Sequence, residues 1–298
     1  MNLTLAVVVP CYNCAAILER CVASILDSAR ACPAFTGVYL VDGGSTDATS
    51  DLCARLAASD ARVHVLQHPV GTASAKRNRA LRDVTADYLV FTDPDCIVSP
   101  AWLPEMSQAM GRWRCCAGRV MPTGGRWNTA VRTGIENRTY RPGLWRRATA
   151  FRAATSNNLM IARALLGTLG GFPEDLGPGA ANGVAEDTEV VYKALRAGVP
   201  VRYFAAAAVL HETAPDEAAF LAKKTAYAYG VHFFLARRYL TDPATWLNLA
   251  AMLTYSGLRL AAFGAFSSFQ RRWAWRELSG RLRGFRHGWH ARAAGKSD

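Results

Sequence analysis

A Rossmann-like α/β fold with a mostly parallel central sheet is predicted by three features of this 298-residue chain. Short apolar runs alternate with helical periodicity through the first hundred residues. The runs end in turn residues and acids. The first run is continuous and rich in Val, as a strand of a parallel sheet buried on both faces is.

Leu5–Val9 is a continuous, Val-rich run closed by Pro10, the pattern of a strand buried on both faces. Ala15–Ala29 places Ile17, Leu18, Cys21, Val22, Ile25 and Leu26 at helical spacing. Val38–Val41 is a second strand, after which Ser45 or Thr46 is the expected cap of a helix reaching about Ala58. Val63–Leu66, a helix over Ala73–Val84 and a strand over Tyr88–Thr92 complete the alternation. Repeated strand–helix units make parallel sheets with helices on both faces. Ligands of such sheets bind beyond the carboxyl ends of the strands.

The pattern breaks over Gly124–Arg152, which carries Arg126, Arg132, Arg138, Arg141, Arg146, Arg147 and Arg152 among Trp127, Tyr140, Trp145 and Phe151. It reads either as a solvated lobe or as an acceptor loop that meets a phosphate, since arginine suits bidentate phosphate recognition. Arg163–Leu169 is helical, Gly170–Gly183 is a Gly/Pro loop, and Glu186–Ala197 is a strong helix with Gly198 at its C′ position. Val201–Phe204 is a further strand. Trp246–Phe269 is apolar except for Asn248 and Arg259. A spanning helix needs about 20 apolar residues and tolerates a central arginine poorly. A helix or helix pair lying in the membrane interface is therefore preferred to a span, with a buried helix hairpin as the plain alternative.

Hydrophobic residues make up 51% of the chain and charged residues 19%, which excludes global disorder. The net charge is +12, and from Leu221 onward thirteen Lys/Arg stand against three acids. A basic tail of this kind suits an anionic membrane surface or another phosphate-bearing partner. No nucleic-acid module is recognisable, and none is expected as a partner. The eight cysteines all precede residue 117 and lack zinc-site spacing, so they read as buried apolar residues of a reducing compartment. The N-terminus lacks a basic region and a cleavage site, and reads as a strand, not a signal peptide. Two domains follow: a catalytic unit over 1–215 and a helical, basic, membrane-associating extension over 216–298.

Chemistry concentrates at acids. Asp42 ends the second strand, and Asp93 and Asp95 end the fourth, so all three are expected in one crevice. An Asp-x-Asp pair can hold a hard divalent cation, Mn²⁺ or Mg²⁺, completed by diphosphate oxygens. Glu186 and Asp187 open the strong helix, where its dipole keeps a carboxylate ionised. They serve either as helix caps or as catalytic acids.

Six segments together resemble glycosyltransferase family 2. Val7-Val8-Val9-Pro10-Cys11-Tyr12-Asn13 is similar to its opening strand, and Val41-Asp42-Gly43-Gly44-Ser45-Thr46-Asp47-Ala48-Thr49 to its second signature. Ala75-Lys76-Arg77-Asn78-Arg79-Ala80, Phe91-Thr92-Asp93-Pro94-Asp95, Gly170-Gly171-Phe172 and Glu186-Asp187 match the remaining elements in order. The resemblance covers about residues 5–200. It implies a GT-A fold with a C-terminal helical extension, and an inverting hexosyltransferase using a nucleotide-sugar, most often a UDP-sugar. Carried over by residue, it places Pro10, Tyr12 and Asn13 at the base and ribose. Asp42 would accept a hydrogen bond from the base. Arg77 and Asn78 would line the nucleotide pocket, with Glu186. Asp93 would contact ribose or metal, Asp95 would ligate the metal, and Asn158 would neighbour the donor sugar. Asp187 would be the general base. His211 would be a further metal ligand, its plain alternative being a surface or capping histidine.

Gly43 departs from the pattern, standing where many members carry a second acid. No Q-x-x-R-W element follows the Glu186-Asp187 helix, which argues for transfer of one sugar, not processive synthesis. The acceptor implied is a lipid-linked or cell-envelope glycan, and the location implied is cytoplasmic, peripheral on the inner face of the plasma membrane. A polyprenyl-phosphate glycosyltransferase is a neighbouring alternative, and a non-catalytic nucleotide-sugar-binding scaffold an alternative of another class. A dinucleotide dehydrogenase is excluded, because no G-x-G-x-x-G follows Val9.

Overall fold

Among the described residues of the computed structural model (2–68, 71–124, 127, 132–211, 216–263 and 267–295) nine strands share one sheet. In chain order the elements are β1 (Leu5–Cys11), α1 (Ala15–Ala29), β2 (Phe35–Asp42), α2 (Thr49–Ser59), β3 (Val63–Gln67), α3 (Ala73–Asp83) and β4 (Tyr88–Phe91). Then follow β5 (Cys96–Val98), α4 (Trp102–Ser107), β6 (Cys115–Pro122), β7 (Arg138–Tyr140), α5 (Leu144–Ala148), β8 (Leu159–Ala162), α6 (Arg163–Thr168), α7 (Glu186–Arg196) and β9 (Val201–His211). Three helices close the chain: α8 (Glu217–Arg238), α9 (Pro243–Phe263) and α10 (Ser268–Ala293).

The sheet order is β3-β2-β1-β4-β8-β6-β9-β5, with β7 added on β9. Its N-terminal half is parallel: β1 pairs with β2 and β4, and β2 with β3. Beyond β4 it becomes mixed, because β8 runs antiparallel to both β4 and β6. Every residue of β1 is buried, as its unbroken apolar run requires. All eight cysteines are free and buried.

Three local expectations change. Helix α2 begins at Thr49, not after Ser45 or Thr46, because those two hydroxyls are engaged by Asp42 and Asn13 instead. Strand β9 continues through the alanine run to His211, so this histidine stands on a sheet strand paired with Cys96. The apolar stretch at 246–269 is split between α9 and α10, and its polar members Asn248 and Arg259 find partners inside the protein. Asn248 donates to the Ala148 carbonyl at 2.6 Å. Arg259 pairs with Glu277 at 3.0 Å and lies 4.1 Å over the Trp273 ring. Among the described residues no helix is long and apolar enough to cross a membrane. Arg126, in the basic aromatic segment, lies outside the described residues.

The C-terminal helices are bound closely to the rest. On α10, Gly280, Gly284 and Gly288 form one face four residues apart, and a Cβ at Gly284 would stand 2.2 Å from the Tyr229 carbonyl oxygen of α8. On α8, a Cβ at Gly230 would stand 2.8 Å from the Val184 backbone. Helix α8 is thus wedged between α10 and the loop that leads into α7. Arg238 adds ion pairs to Glu189 (2.9 Å) and Asp175 (2.6 Å).

Candidate active site

A crevice of about 880 Å³ opens beyond the carboxyl ends of β1, β2 and β4. Pro10, Tyr12, Asn13, Arg77, Asp93, Asp95, Glu186, Asp187 and His211 all line it. Asn13 adopts φ 48°, and its side chain is held by Thr46: Oδ1 accepts from the Thr46 amide at 2.8 Å while Nδ2 donates to the Thr46 hydroxyl at 3.2 Å. The loops after β1 and β2 are thereby tied together. Tyr12 is left 55% exposed at the rim, with the Lys76 amine 5.3 Å from its ring centre.

The floor is organised by one buried cation. Arg77 is 1% exposed and forks between Asp93 (2.8 Å) and Glu186 (3.0 Å). An arginine guanidinium presents its donors in a fixed plane, so this fork sets where both carboxylates lie. Burial pushes the Glu186 carboxyl up to about 7, the neighbouring Asp187 adds to the rise, and Arg77 opposes it. Its Oε2 has no hydrogen-bond partner within the protein.

Asp187 occupies the first turn of α7 and is buried. Its Oδ2 accepts from the Ser156 amide at 3.1 Å, and its Oδ1 accepts from the Thr188 amide at 2.6 Å and from the Thr188 hydroxyl at 3.2 Å.

Asp95 and His211 meet across the β5–β9 pairing, with Oδ2 and Nε2 3.5 Å apart. Ligand atoms of Asp95, Cys96 and His211 lie within 4.8 Å of one another. Burial, then the charge of Asp93, raises the Asp95 carboxyl above its ordinary range. Burial likewise raises the Cys96 thiol well above its usual value, and a hard divalent cation prefers oxygen ligands to a thiol. One carboxylate and one imidazole, with room for diphosphate oxygens, fit a divalent cation of the Mn²⁺ or Mg²⁺ kind.

Three expected site residues do not line the crevice. Asp42 is fully buried: its Oδ1 accepts from Ser45 and its Oδ2 from Ser50 at 2.5 Å. Burial pushes its pKa up, but these bonds outweigh that and hold it below the ordinary value. Its carboxylate braces the turn after β2. Asn78 clamps the Gly170-Gly171-Phe172 turn, accepting from the Phe172 amide and donating to its carbonyl, both at 2.8 Å. Asn158 is also fully buried, donating to the Arg119 and Ala207 carbonyls and accepting from the Trp102 indole at 2.8 Å.

Lys76, Lys223 and Tyr227 line the crevice and were not singled out from the sequence. Lys76 sat within a quoted motif, so its position beside Arg77 was the available signal. A Cβ on Gly43 would stand 2.5 Å from the Lys76 amine. The glycine that replaces the expected acid therefore makes room for a lysine. Lys223 and Tyr227 come from α8, far away in sequence, and carry no local signal.

A family model for Glycosyl transferase family 2 matches residues 6–165, more than half of the chain. The chain belongs to glycosyltransferase family 2. It is 38% identical over 89 residues to the succinoglycan biosynthesis protein ExoA of Rhizobium meliloti, a match covering 29% of this chain and 26% of that protein. It is 28% identical over 103 residues to the uncharacterized glycosyltransferase EpsJ of Bacillus subtilis, covering 35% and 29%. These matches thus span under a third of each relative. Among solved structures, S. aureus TarS 1-349 in complex with UDP-GlcNAc superposes with a TM-score of 0.58 at 15% identity, covering 98% of this chain and 92% of that one. The mannosyltransferase PcManGT from Pyrobaculum calidifontis, in complex with GDP-Man and Mn²⁺, gives 0.60 at 17% identity, covering 98% and 88%. At such identity these likenesses establish the GT-A fold.

Proposed function

We propose that this glycosyltransferase moves one sugar, with inversion, from a nucleotide-sugar to a hydroxyl acceptor, with Asp187 as the general base. The observation that carries the reading is the position of Asp187. It is held by backbone amides at the inner end of the crevice, where a second cavity meets it. A hydroxyl attacks an anomeric carbon poorly unless a base takes its proton as the bond forms. The acceptor oxygen bonds to the anomeric carbon, the bond from that carbon to the diphosphate breaks, and the proton passes to Asp187. The nucleoside diphosphate leaves with the electron pair.

A UDP-sugar is the favoured donor, since UDP and UDP-GlcNAc are bound in structures of the same fold. Pro10, Tyr12 and Asn13, which line the crevice, would meet the base and ribose, and Lys76 and Lys223 the diphosphate. Asp95 and His211 would hold a divalent cation, which when bound supplies positive charge to the leaving diphosphate. The acceptor belongs to a cell-envelope glycan, in keeping with the succinoglycan role in the name of one relative.

Peripheral membrane attachment is supported by α10, and α9 also exposes Trp246, Tyr255 and Leu258. Trp275, Leu282 and Trp289 are 61, 51 and 45% exposed at seven-residue spacing, flanked by exposed Arg276, Arg283 and Arg286. An aromatic stripe rimmed by arginine suits an anionic lipid surface.

The test is nucleoside-diphosphate release from a panel of UDP-, GDP- and dTDP-sugars by the full chain. Release that requires Mn²⁺ or Mg²⁺ and is lost in Asp95→Ala is the expected result. Silence with every donor, together with metal-dependent nucleotide binding by calorimetry, would leave the scaffold alternative standing, and loss of that binding as well would overturn both readings.

A further inference from the structure

The donor crevice does not end at Asp187. A second cavity of about 500 Å³ begins there, and Thr155, Asp187 and Tyr227 line both. Its far wall is built by the three C-terminal helices, which contribute His232, Asn248 and Arg281. Each of these is at least nine-tenths buried, and each keeps one polar atom without a partner: His232 Nε2, Asn248 Oδ1 and Arg281 Nε. Unpartnered buried groups are costly, and a wall that carries three of them is shaped for something that supplies the missing bonds.

The chemistry of those atoms is fixed by their other bonds. His232 Nδ1 lies 2.8 Å from the Ala228 carbonyl, which can only accept. Nδ1 therefore carries the proton, and Nε2 presents a lone pair. Burial lowers the ring's pKa to about 4, so it is neutral near pH 7. Asn248 Nδ2 donates to Ala148, which leaves Oδ1 as an acceptor. Two buried acceptors call for hydroxyl or amide donors on the ligand.

Charge adds a second requirement. Arg132, Arg138, Arg152, Lys224 and Arg281 line the cavity against Asp187 and Glu277, an excess of three cations. Arg132 is consumed by the carbonyls of Phe151, Arg152 and Ala154. Arg281 donates to Ser256 at 2.6 Å and lies 3.8 Å from Glu277. Arg138 and Arg152 are exposed and lack an acidic partner among the described residues. They are the cations available to an incoming anion.

We propose that this cavity is the acceptor site, and that its ligand is a hydroxylated anion: a saccharide or polyol bearing phosphate. Hydroxyls of the ligand donate to His232 and Asn248, its phosphate is held by Arg138 and Arg152, and one hydroxyl is turned toward Asp187. The C-terminal helices then select the acceptor, which goes beyond the membrane role expected of them. The inference rests on the transferase reading above. The same chemistry is offered by a soluble phosphorylated glycan and by a phosphate-linked lipid saccharide.

Calorimetry on the full chain saturated with UDP and Mn²⁺ separates these possibilities, because the donor crevice is then filled. Failure of UDP itself to bind would overturn the transferase reading, and that is measured first. Glucose 6-phosphate is expected to bind the UDP-loaded protein at least tenfold more tightly than glucose. Arg138→Ala/Arg152→Ala, both at exposed positions, is expected to remove most of that preference. His232→Phe is expected to weaken both ligands several-fold. Equal affinity for glucose and glucose 6-phosphate, or a preference unchanged in the double arginine variant, overturns the proposal even when UDP binds well. So does the absence of any glucose 6-phosphate binding at millimolar concentration when a dodecyl-diphosphate-linked sugar in micelles also fails. Binding of the micellar ligand well above the soluble one assigns the phosphate to a lipid, and equal binding assigns it to a soluble glycan.

Discussion

The two cavities that share Asp187 are built in different ways. The donor crevice is built largely on short contiguous segments near strand ends, 10–14, 43–44, 76–77 and 93–95, joined by Glu186 and Asp187 of α7 and by Lys223 and Tyr227 of α8. The acceptor-side cavity takes its walls from β7, the turn at 150–152 and three helices that begin after residue 216. Its key atoms belong to His232, Asn248 and Arg281, which no local pattern connects. The donor side is a property of the parallel sheet, where ligands gather beyond strand carboxyl ends. The acceptor side is a property of helix packing, and it can change without disturbing the sheet. A transferase that keeps one donor chemistry across many acceptors benefits from that division.

The sharpest break in the comparison comes at the shared residue. Asp187→Asn keeps the shape but accepts no proton, and its amide oxygen can accept from only one of the Ser156 and Thr188 amides that the carboxylate engages. Sugar transfer is expected to fall by about 10²–10⁴-fold, the usual contribution of a positioned base, while UDP affinity stays close to that of the wild type. Retained transfer would indicate an acceptor that is already anionic at its attacking atom, as in the polyprenyl-phosphate alternative. On the donor side alone, Arg77→Met leaves the buried Glu186 and the half-buried Asp93 without their cation. Removing one member of a buried pair costs about 3–5 kcal/mol, read as a fall in the urea midpoint. UDP binding is expected to weaken with it. An unperturbed midpoint would mean that Arg77 organises nothing.

Legibility followed the same division. Leu5–Val9, Ala15–Ala29 and Glu186–Ala197 were readable because burial imposes a period on the sequence, and the observed α1 has the expected bounds. The resemblance located Asp93, Asp95, Glu186, Asp187 and His211, and the structure gathers all five in one crevice. It could not say that Asp42, Asn78 and Asn158 spend their polar atoms on turns and backbone carbonyls. A motif records which residue is required, not whether it faces ligand or chain. In the C-terminal helices the partners that explain a polar residue lie far away in sequence. Asn248 and Arg259 look like flaws in an apolar helix until Ala148 and Glu277 are seen opposite them. The glycines at 280, 284 and 288 look like helix breakers until α8 lies against them.

That glycine face offers a sign test. In an exposed helix, Gly→Ala stabilises by about 1 kcal/mol. At Gly284 the new Cβ would stand 2.2 Å from the Tyr229 carbonyl. Gly284→Ala is therefore expected to destabilise by about 1–3 kcal/mol, the cost of overpacking, and Gly257→Ala, with open space around its Cβ position, is not. If both variants were stabilising, the close docking of α10 on α8 would be wrong, and with it the wall that carries Arg281.

The smallest effect distinguishes the two cavities by the sign of their response to pH. Glu186, on the donor side, has its folded pKa raised from 4.5 to about 7. The folded state then holds the proton more tightly than the unfolded chain, so stability from this group is present at low pH and is lost as pH rises through 7. His232, on the acceptor side, has its folded pKa lowered from 6.5 to about 4. Here the unfolded chain holds the proton more tightly, so stability is present above 6.5 and is lost as pH falls toward 4. Between pH 7 and pH 5 each group contributes about 2 kcal/mol, with opposite signs, and the pair nearly cancels. Single variants uncover what the wild type conceals. On moving from pH 7 to pH 5, Glu186→Gln is expected to lose about 2 kcal/mol relative to wild type, because the compensating gain is gone. His232→Phe is expected to gain about the same amount. Urea unfolding at the two pH values measures both. Shifts of the same sign in the two variants would show that the cavities do not titrate as separate environments.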